Sequence, residues 1–189
     1  MKKNILIVVL FIMMGMFMHA QLPVNFKLQS DGTFKTIDGK EYVVIQKEGK
    51  TASELYNEVL SSITLLYNSP KDIVSKVENS TISVNGISSD CATAFGMLGT
   101  KVILSIQYIL QFQFKDGRIR VEAPILSRVF SDKMEVQPTI PGWLKTQKYF
   151  INDKPNPNPK KQSTIDDFEN TLNGLIIRIL TSKKMEEDW

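Results

Sequence analysis

Two hydrophobic periods organise the chain. From Val102 to Phe114 every second position is apolar or aromatic: Val102, Leu104, Ile106, Tyr108, Leu110, Phe112 and Phe114. The alternating set is Ile103, Ser105, Gln107, Ile109, Gln111 and Gln113. A period of two marks a strand with one face buried and one face largely amide-bearing. Asp116-Gly117 follows, a dipeptide suited to the positive φ of a two-residue hairpin turn. With those residues as the loop, Phe114 faces Ile119, Phe112 faces Val121 and Leu110 faces Ala123. Core-side residues then meet core-side residues, and a slip of one position would turn the strand over.

A period near 3.6 governs two other segments. Ala52, Leu55, Tyr56, Val59, Leu60, Ile63, Leu66 and Tyr67 fall three and four apart, which predicts a helix over 51–67 with one apolar stripe. Thr51-Ala52-Ser53-Glu54 opens it as a capping box, in which the threonine hydroxyl and the glutamate carboxylate each satisfy a backbone amide. Asn68-Ser69-Pro70 closes it, because proline disfavours helical geometry in the residue before it. A second stripe, Ile165, Phe168, Leu172, Leu175, Ile176, Ile179 and Leu180, predicts a helix over 164–183. Ser163 or Thr164 would cap it, with Asp166 and Asp167 in its first turn and Lys183 and Lys184 at its end.

Shorter patterns fill the space between. Thr33 to Ile37, Tyr42 to Gln46, Ile73 to Val77 and Thr81 to Ile87 read as strands, punctuated by Asp31-Gly32, Asp38-Gly39 and the polar turn Glu78-Asn79-Ser80. Residues 89–100 are small and glycine-containing, which suits a loop or a short helix. From Leu126 to Lys161 no period is visible, and Lys154-Pro155-Asn156-Pro157-Asn158-Pro159-Lys160-Lys161 reads as an extended, solvated linker. The expected organisation is a core over 21–126, an irregular loop and Pro/Asn/Lys linker over 127–163, and a C-terminal helix over 164–189 packing on the same domain. The fold class is α+β: an antiparallel sheet with both helices on its inner face and a polar outer face.

The beginning of the chain has a different character. Lys2 and Lys3 precede an apolar run from Ile5 to Met18, and His19-Ala20-Gln21 ends it with a small residue before a cleavage point. This is the layout of a signal peptide over 1–20, and the run is short for a membrane span. A retained N-terminal anchor is the alternative. Cleavage would remove His19, the only histidine, and place the protein in the periplasm or outside the cell. It would also remove Lys2 and Lys3 from the 23 basic side chains that stand against 20 acidic ones. That near balance argues against phosphate-dependent nucleic-acid binding.

What remains is poor in catalytic chemistry. Without an imidazole, Ser-His-Asp and Cys-His arrangements and histidine-based zinc sites are excluded. No phosphate loop or calcium loop is present. Cys91, the single cysteine, cannot form an internal disulfide and lies among small and apolar residues, as expected of a buried, inert thiol. Asp72, Glu78, Asp90, Asp116 and Glu122 could serve a carboxylate-dependent glycan hydrolase, but their spacing nominates no pair. No metal and no organic cofactor is expected.

The stretch from Tyr42 through Glu54-Leu55-Tyr56 to Lys115-Asp116-Gly117-Arg118-Ile119-Arg120 resembles a family of exported Bacteroidetes proteins, the domain of unknown function 4468 family. The helix start and the hairpin carry the likeness, over about residues 38–124. Ile119 departs from the family pattern, which often places tyrosine between the two arginines. The resemblance implies a TATA-binding-protein-like (TBP-like) fold, a curved antiparallel sheet with two helices packed on one face in the order β-α-β-β-β-β-α. It implies no activity.

Two surfaces are candidates for binding. On the hairpin, Gln111, Gln113, Lys115, Arg118, Arg120 and Glu122 project opposite the core side. That is a polar, locally basic strip able to hold carboxylates or glycans, with an ordinary solvated sheet face as the plain alternative. The other is Trp143 in Pro141-Gly142-Trp143-Leu144, near Tyr149 and Phe150, which would stack on sugars if exposed or anchor a loop if buried. The reading is an exported, non-catalytic binding module for an envelope protein or glycan. The alternative is a structural subunit of a cell-envelope assembly that docks through a sheet edge or face.

Overall fold

The structure, a computed structural model, describes residues 22–131 and 139–182. The signal peptide expected over 1–20, with His19, and the lysines Lys183 and Lys184 lie outside them. Among the described residues, ten strands and four helices follow in chain order. They are β1 (Phe26–Leu28), β2 (Phe34–Thr36), β3 (Tyr42–Gln46), α1 (Ala52–Leu66), α2 (Pro70–Ile73), β4 (Val74–Val77) and β5 (Thr81–Phe95). After a 3-10 turn come β6 (Lys101–Lys115), β7 (Arg118–Glu122), β8 (Ile125–Phe130), α3 (Ile140–Thr146), β9 (Phe150–Ile151), β10 (Lys154–Pro155) and α4 (Pro159–Thr181).

Six strands form one antiparallel sheet in the order β3-β7-β6-β5-β4, and β8 pairs with β6 beyond the end of β7. The hairpin register is the expected one: Phe114 opposes Ile119 and Phe112 opposes Val121. The ladder stops there, so Leu110 does not pair with Ala123. Ala123 instead donates its amide to the Glu41 carbonyl, at 2.8 Å, and Pro124, which has no amide proton, separates β7 from β8. From Leu104 to Phe114 the alternate residues of β6 are buried against α1 and α4, which cover the inner face.

Helix α1 begins as the sequence dictates. Thr51 Oγ1 accepts from the Glu54 amide at 3.3 Å, and Glu54 Oε2 accepts from the Thr51 amide at 2.7 Å. The carboxyl of Glu54 is held below its usual pKa by that backbone hydrogen bond and by the Thr51 hydroxyl.

Three expectations are corrected. Residues 89–95 are neither loop nor helix but the continuation of β5, with Ser89-Asp90-Cys91 bulged against the single residue Ser105. Their small side chains give little strand signal, and the long partner β6 supplies the template. Within 126–131 and 139–161 the chain forms β8, α3 and the β9–β10 hairpin rather than an irregular loop and linker. The C-terminal helix starts at Pro159, not at 164. Asn158 caps it by accepting the Lys160 amide at 3.0 Å, and Pro159 follows as the first helical residue, where its missing amide costs nothing. Thr164 is therefore a buried interior residue, and Asp166 and Asp167 lie past the first turn.

Helix α4 ties the molecule together through its polar side chains. Asn173 pairs with β1 as a neighbouring strand would. Its Oδ1 accepts the Phe26 amide and its Nδ2 donates to the Phe26 carbonyl, both at 2.9 Å. Glu169, only 5 % exposed, accepts the Leu28 amide at 3.0 Å and meets the Lys27 ammonium at 2.7 Å. On its other side, Thr164 donates to the Thr93 carbonyl at 2.6 Å, and Asp167 accepts the Thr93 amide at 3.1 Å. Thr171 donates to the Cys91 carbonyl at 3.3 Å. The far edge of β5 is thus closed by a helix instead of a strand.

Candidate functional site

The polar strip lies on the face opposite the core. Because Phe112, Phe114, Ile119 and Val121 are buried on the inner side, their neighbours along β6 and β7 point outward. Pairing of β3 with β7 and of β7 with β6 sets two rows across the three strands. One contains Val44, Arg120 and Gln113, and the next contains Gln46, Arg118 and Lys115. Tyr42 lies opposite Glu122.

The strip divides into a closed part and an open part. In the closed part Arg120 Nε lies 2.6 Å from Glu122 Oε1, and Arg120 Nη2 donates to Oε2 at 3.1 Å. The guanidinium sits 3.9 Å over the Tyr42 ring, and Gln113 Nε2 donates to Glu122 Oε1 at 3.0 Å. The hydrogen bond to Glu122 raises the pKa of Arg120 above its usual value. The charges of Arg120 and Glu122 are thus paired with each other. In the open part Lys115 and Arg118 are directly opposite and exposed. Neither side chain forms an ion pair or hydrogen bond with the described residues. The acid between them in sequence, Asp116, is committed elsewhere: its Oδ1 accepts the Ala52 amide at 2.8 Å, fastening the turn to the start of α1. Gln111 opposes Ser83 of β5 at the margin of the strip.

Trp143 does not belong to a surface. It is 3 % exposed, on α3, with its ring 5.1 Å from Tyr149 and 6.2 Å from Phe168. The apolar face of a short helix packs it onto α4, so it anchors the segment after β8 and offers no stacking platform. Tyr149 beside it is buried too, which pushes its hydroxyl pKa up to about 12. Cys91 is half-buried in the bulge, and burial raises its thiol pKa to about 11.

The candidate carboxylates are distributed over several elements. Asp72 is on α2, Glu78 in the β4–β5 turn and Asp90 in the bulge. The length of β7 separates Asp116 from Glu122, about 14 Å at roughly 3.4 Å per residue. Glycosidase pairs need roughly 5–10 Å. No group of three or more His, Cys, Asp or Glu side chains among the described residues is placed to hold a metal ion.

Sequence reading missed Tyr42 and Gln46 as members of this face. Their alternation with Val43 and Ile45 was legible, but the pairing of β3 with β7 was not.

Comparison with solved structures places this arrangement. A DUF4468 family protein from Bacteroides ovatus superposes with a TM-score of 0.52 at 16 % identity, over 76 % of this chain and 86 % of that one. The two share a fold. A TBP-like protein from Parabacteroides distasonis aligns over 75 % of this chain and 92 % of that one, at 14 % identity and a TM-score of 0.41. No family model and no curated protein matches the sequence. The α+β architecture and the likeness in fold to a DUF4468 family protein thus stand as the sequence led one to expect. No helix among the described residues is long and apolar enough to cross a membrane.

Proposed function

We propose that this chain is an exported, non-catalytic binding module that recognises a carboxylate-bearing ligand, such as an acidic glycan, at the Lys115–Arg118 end of its outer sheet face. One observation carries the reading: two cations stand directly opposite each other on an exposed hairpin with no acidic partner among the described residues. Like charges at facing positions cost a few tenths of a kcal/mol or more, and no ion pair or hydrogen bond of either side chain among the described residues offsets that. An incoming carboxylate would, and a guanidinium beside an ammonium gives it both a fork and a point charge. Gln46 beside Arg118, and the free carbonyl oxygen of Gln113, would supply flanking hydrogen bonds. Export rests on the leader-like segment over 1–20, and mass spectrometry of the protein from its producing cell should find Gln21 as the first residue.

The binding test uses an array of uronate- and sialate-bearing glycans, with neutral glycans as control. The expected result is salt-sensitive binding to the acidic set, reduced at least tenfold in Lys115→Ser/Arg118→Ser. The melting temperature of that variant should be unchanged or higher. Retained binding in the variant, or a fall in its stability, would make the strip a structural feature.

A further inference from the structure

We infer that the free edge of β3 pairs with β3 of a second copy, joining two sheets across a two-fold axis at Val44. The edge is open by its own hydrogen-bond pattern. The Ala123 amide donates to the Glu41 carbonyl and the Lys47 amide to the Gly117 carbonyl, at 2.8 and 2.7 Å. Antiparallel alternation then assigns Val43 and Ile45 to the β7 ladder, and it points the amides and carbonyls of Tyr42, Val44 and Gln46 away from it. None of these six groups has a partner among the described residues.

The other margins of the molecule are managed differently. Helix α4 closes β5 and β1 with Thr164, Asp167, Thr171, Glu169 and Asn173. Strand β4 carries Lys76 and β8 carries Arg128. Among the described strands of three residues or more, only Tyr42-Val43-Val44-Ile45-Gln46 combines an open edge with no charge, no proline, no glycine and no bulge. Natural proteins avoid leaving such a strand uncovered.

A second copy is the occupant this strand fits. Antiparallel pairing about Val44 sets Val44 against Val44 of the other copy and Tyr42 against Gln46. All three outward-pointing residues then fall at hydrogen-bonded positions, and each exchanges both of its bonds. On the inner face Val43 meets Ile45, apolar against apolar. On the outer face the tyrosine meets an amide. The match follows from parity, since the outward residues are the first, third and fifth of a five-residue strand. A groove of about 500 Å³ runs beside Tyr42 and Val44, with Pro23, Asn25, Ile37, Asp38 and Lys40 of the same chain along its other side. Ile37 is 78 % exposed there, a large aliphatic side chain with nothing over it.

The experiment is sedimentation analysis of the protein in reducing buffer, which removes any Cys91 cross-link, across a hundredfold concentration range. It is combined with residue-resolved amide exchange. Mass should double with concentration, while the amides of Tyr42, Val44 and Gln46 slow together and those of Val43 and Ile45 stay slow throughout. Val44→Pro is the decisive variant. That amide makes no bond within the chain, so proline is tolerated on the edge but removes two of the intermolecular bonds. It should stay folded by circular dichroism and remain one chain in mass at every concentration. Should Val44→Pro unfold, Val44→Lys sets like charges face to face across the axis and serves the same purpose. A single-chain mass in the wild type, a dimer that persists in these variants, or a dimer in which the three amides still exchange fast would overturn the inference.

Discussion

Gly86 shows how a residue can be chosen by its neighbour across the sheet. It opposes Tyr108, and a Cβ at that position would come within 2.5 Å of the Tyr108 hydroxyl oxygen. The ring cannot swing aside, because it is fully buried and its hydroxyl bonds that of Tyr67 at 2.9 Å. Gly86→Ala should therefore destabilise the protein by about 1–3 kcal/mol, the usual range for overpacking a filled core, read as a lowered midpoint in urea. In the sequence Gly86 looks only like the end of a strand. Its reason lies in a pairing that no local window contains. The residue scale also sets the response to alkali. Burial raises the pKa of Cys91 to about 11 and of Tyr149 to about 12, and it raises those of Tyr67 and Tyr108 too. The unfolded chain loses these protons first, starting near pH 9 for the thiol. Stability is thus complete below that point and falls as pH climbs toward the folded values. Melting temperatures measured from pH 8 to 11 should decline above about 9, and a flat profile would contradict the assignment.

At the scale of elements, apolar periodicity was legible and polar edge-closing was not. The stripe of α4 is buried as its spacing demands: Ile165, Phe168, Leu172, Ile176 and Ile179 all face the core. Its polar residues carry information of another kind. Thr164, Asp167, Glu169, Thr171 and Asn173 act as a strand for two edges that have none, and their composition alone resembles any solvated helix face. The same limit explains the linker. Pro-Asn-Pro-Asn-Pro suggests an extended spacer, yet Asn158-Pro159 is also an N-cap followed by a first helical residue, and tertiary packing decides between them. The edge-closing role has a direct test. Asn173→Leu fits the helix but leaves the Phe26 amide and carbonyl unpaired, so it should cost about 2–6 kcal/mol at roughly 1–3 per orphaned group. Asp167→Ala orphans only the Thr93 amide and should cost about half as much. Equal, near-zero losses in chemical denaturation would show that water replaces the helix at both edges.

At the scale of the molecule, α4 touches the N-terminal hairpin, the sheet and α1. It reaches the hairpin through Asn173 and Glu169, the sheet through Thr164 and Asp167, and α1 through Ser62, whose hydroxyl donates to the Ser182 carbonyl at 2.7 Å. A chain held by one such tie should unfold as a unit, because loss of the helix uncovers the core and two sheet edges together. Gly174 lies in its interior and has open space around its α-carbon. Two substitutions there push in opposite directions. Gly174→Ala removes backbone freedom from the unfolded chain and meets no neighbour, so it should add about 0.5–1 kcal/mol. Gly174→Pro breaks the helix hydrogen-bond ladder and should cost about 3 kcal/mol or more. Trp143 packs on Phe168 of α4 and reports that helix's environment, while far-UV circular dichroism follows the sheet as well. With Trp189 changed to phenylalanine, the two signals should give one coincident urea transition in both variants, shifted up in the first and down in the second. Separate transitions, with fluorescence lost while the strand signal persists, would mean that the sheet stands without α4 and that the helix only decorates it.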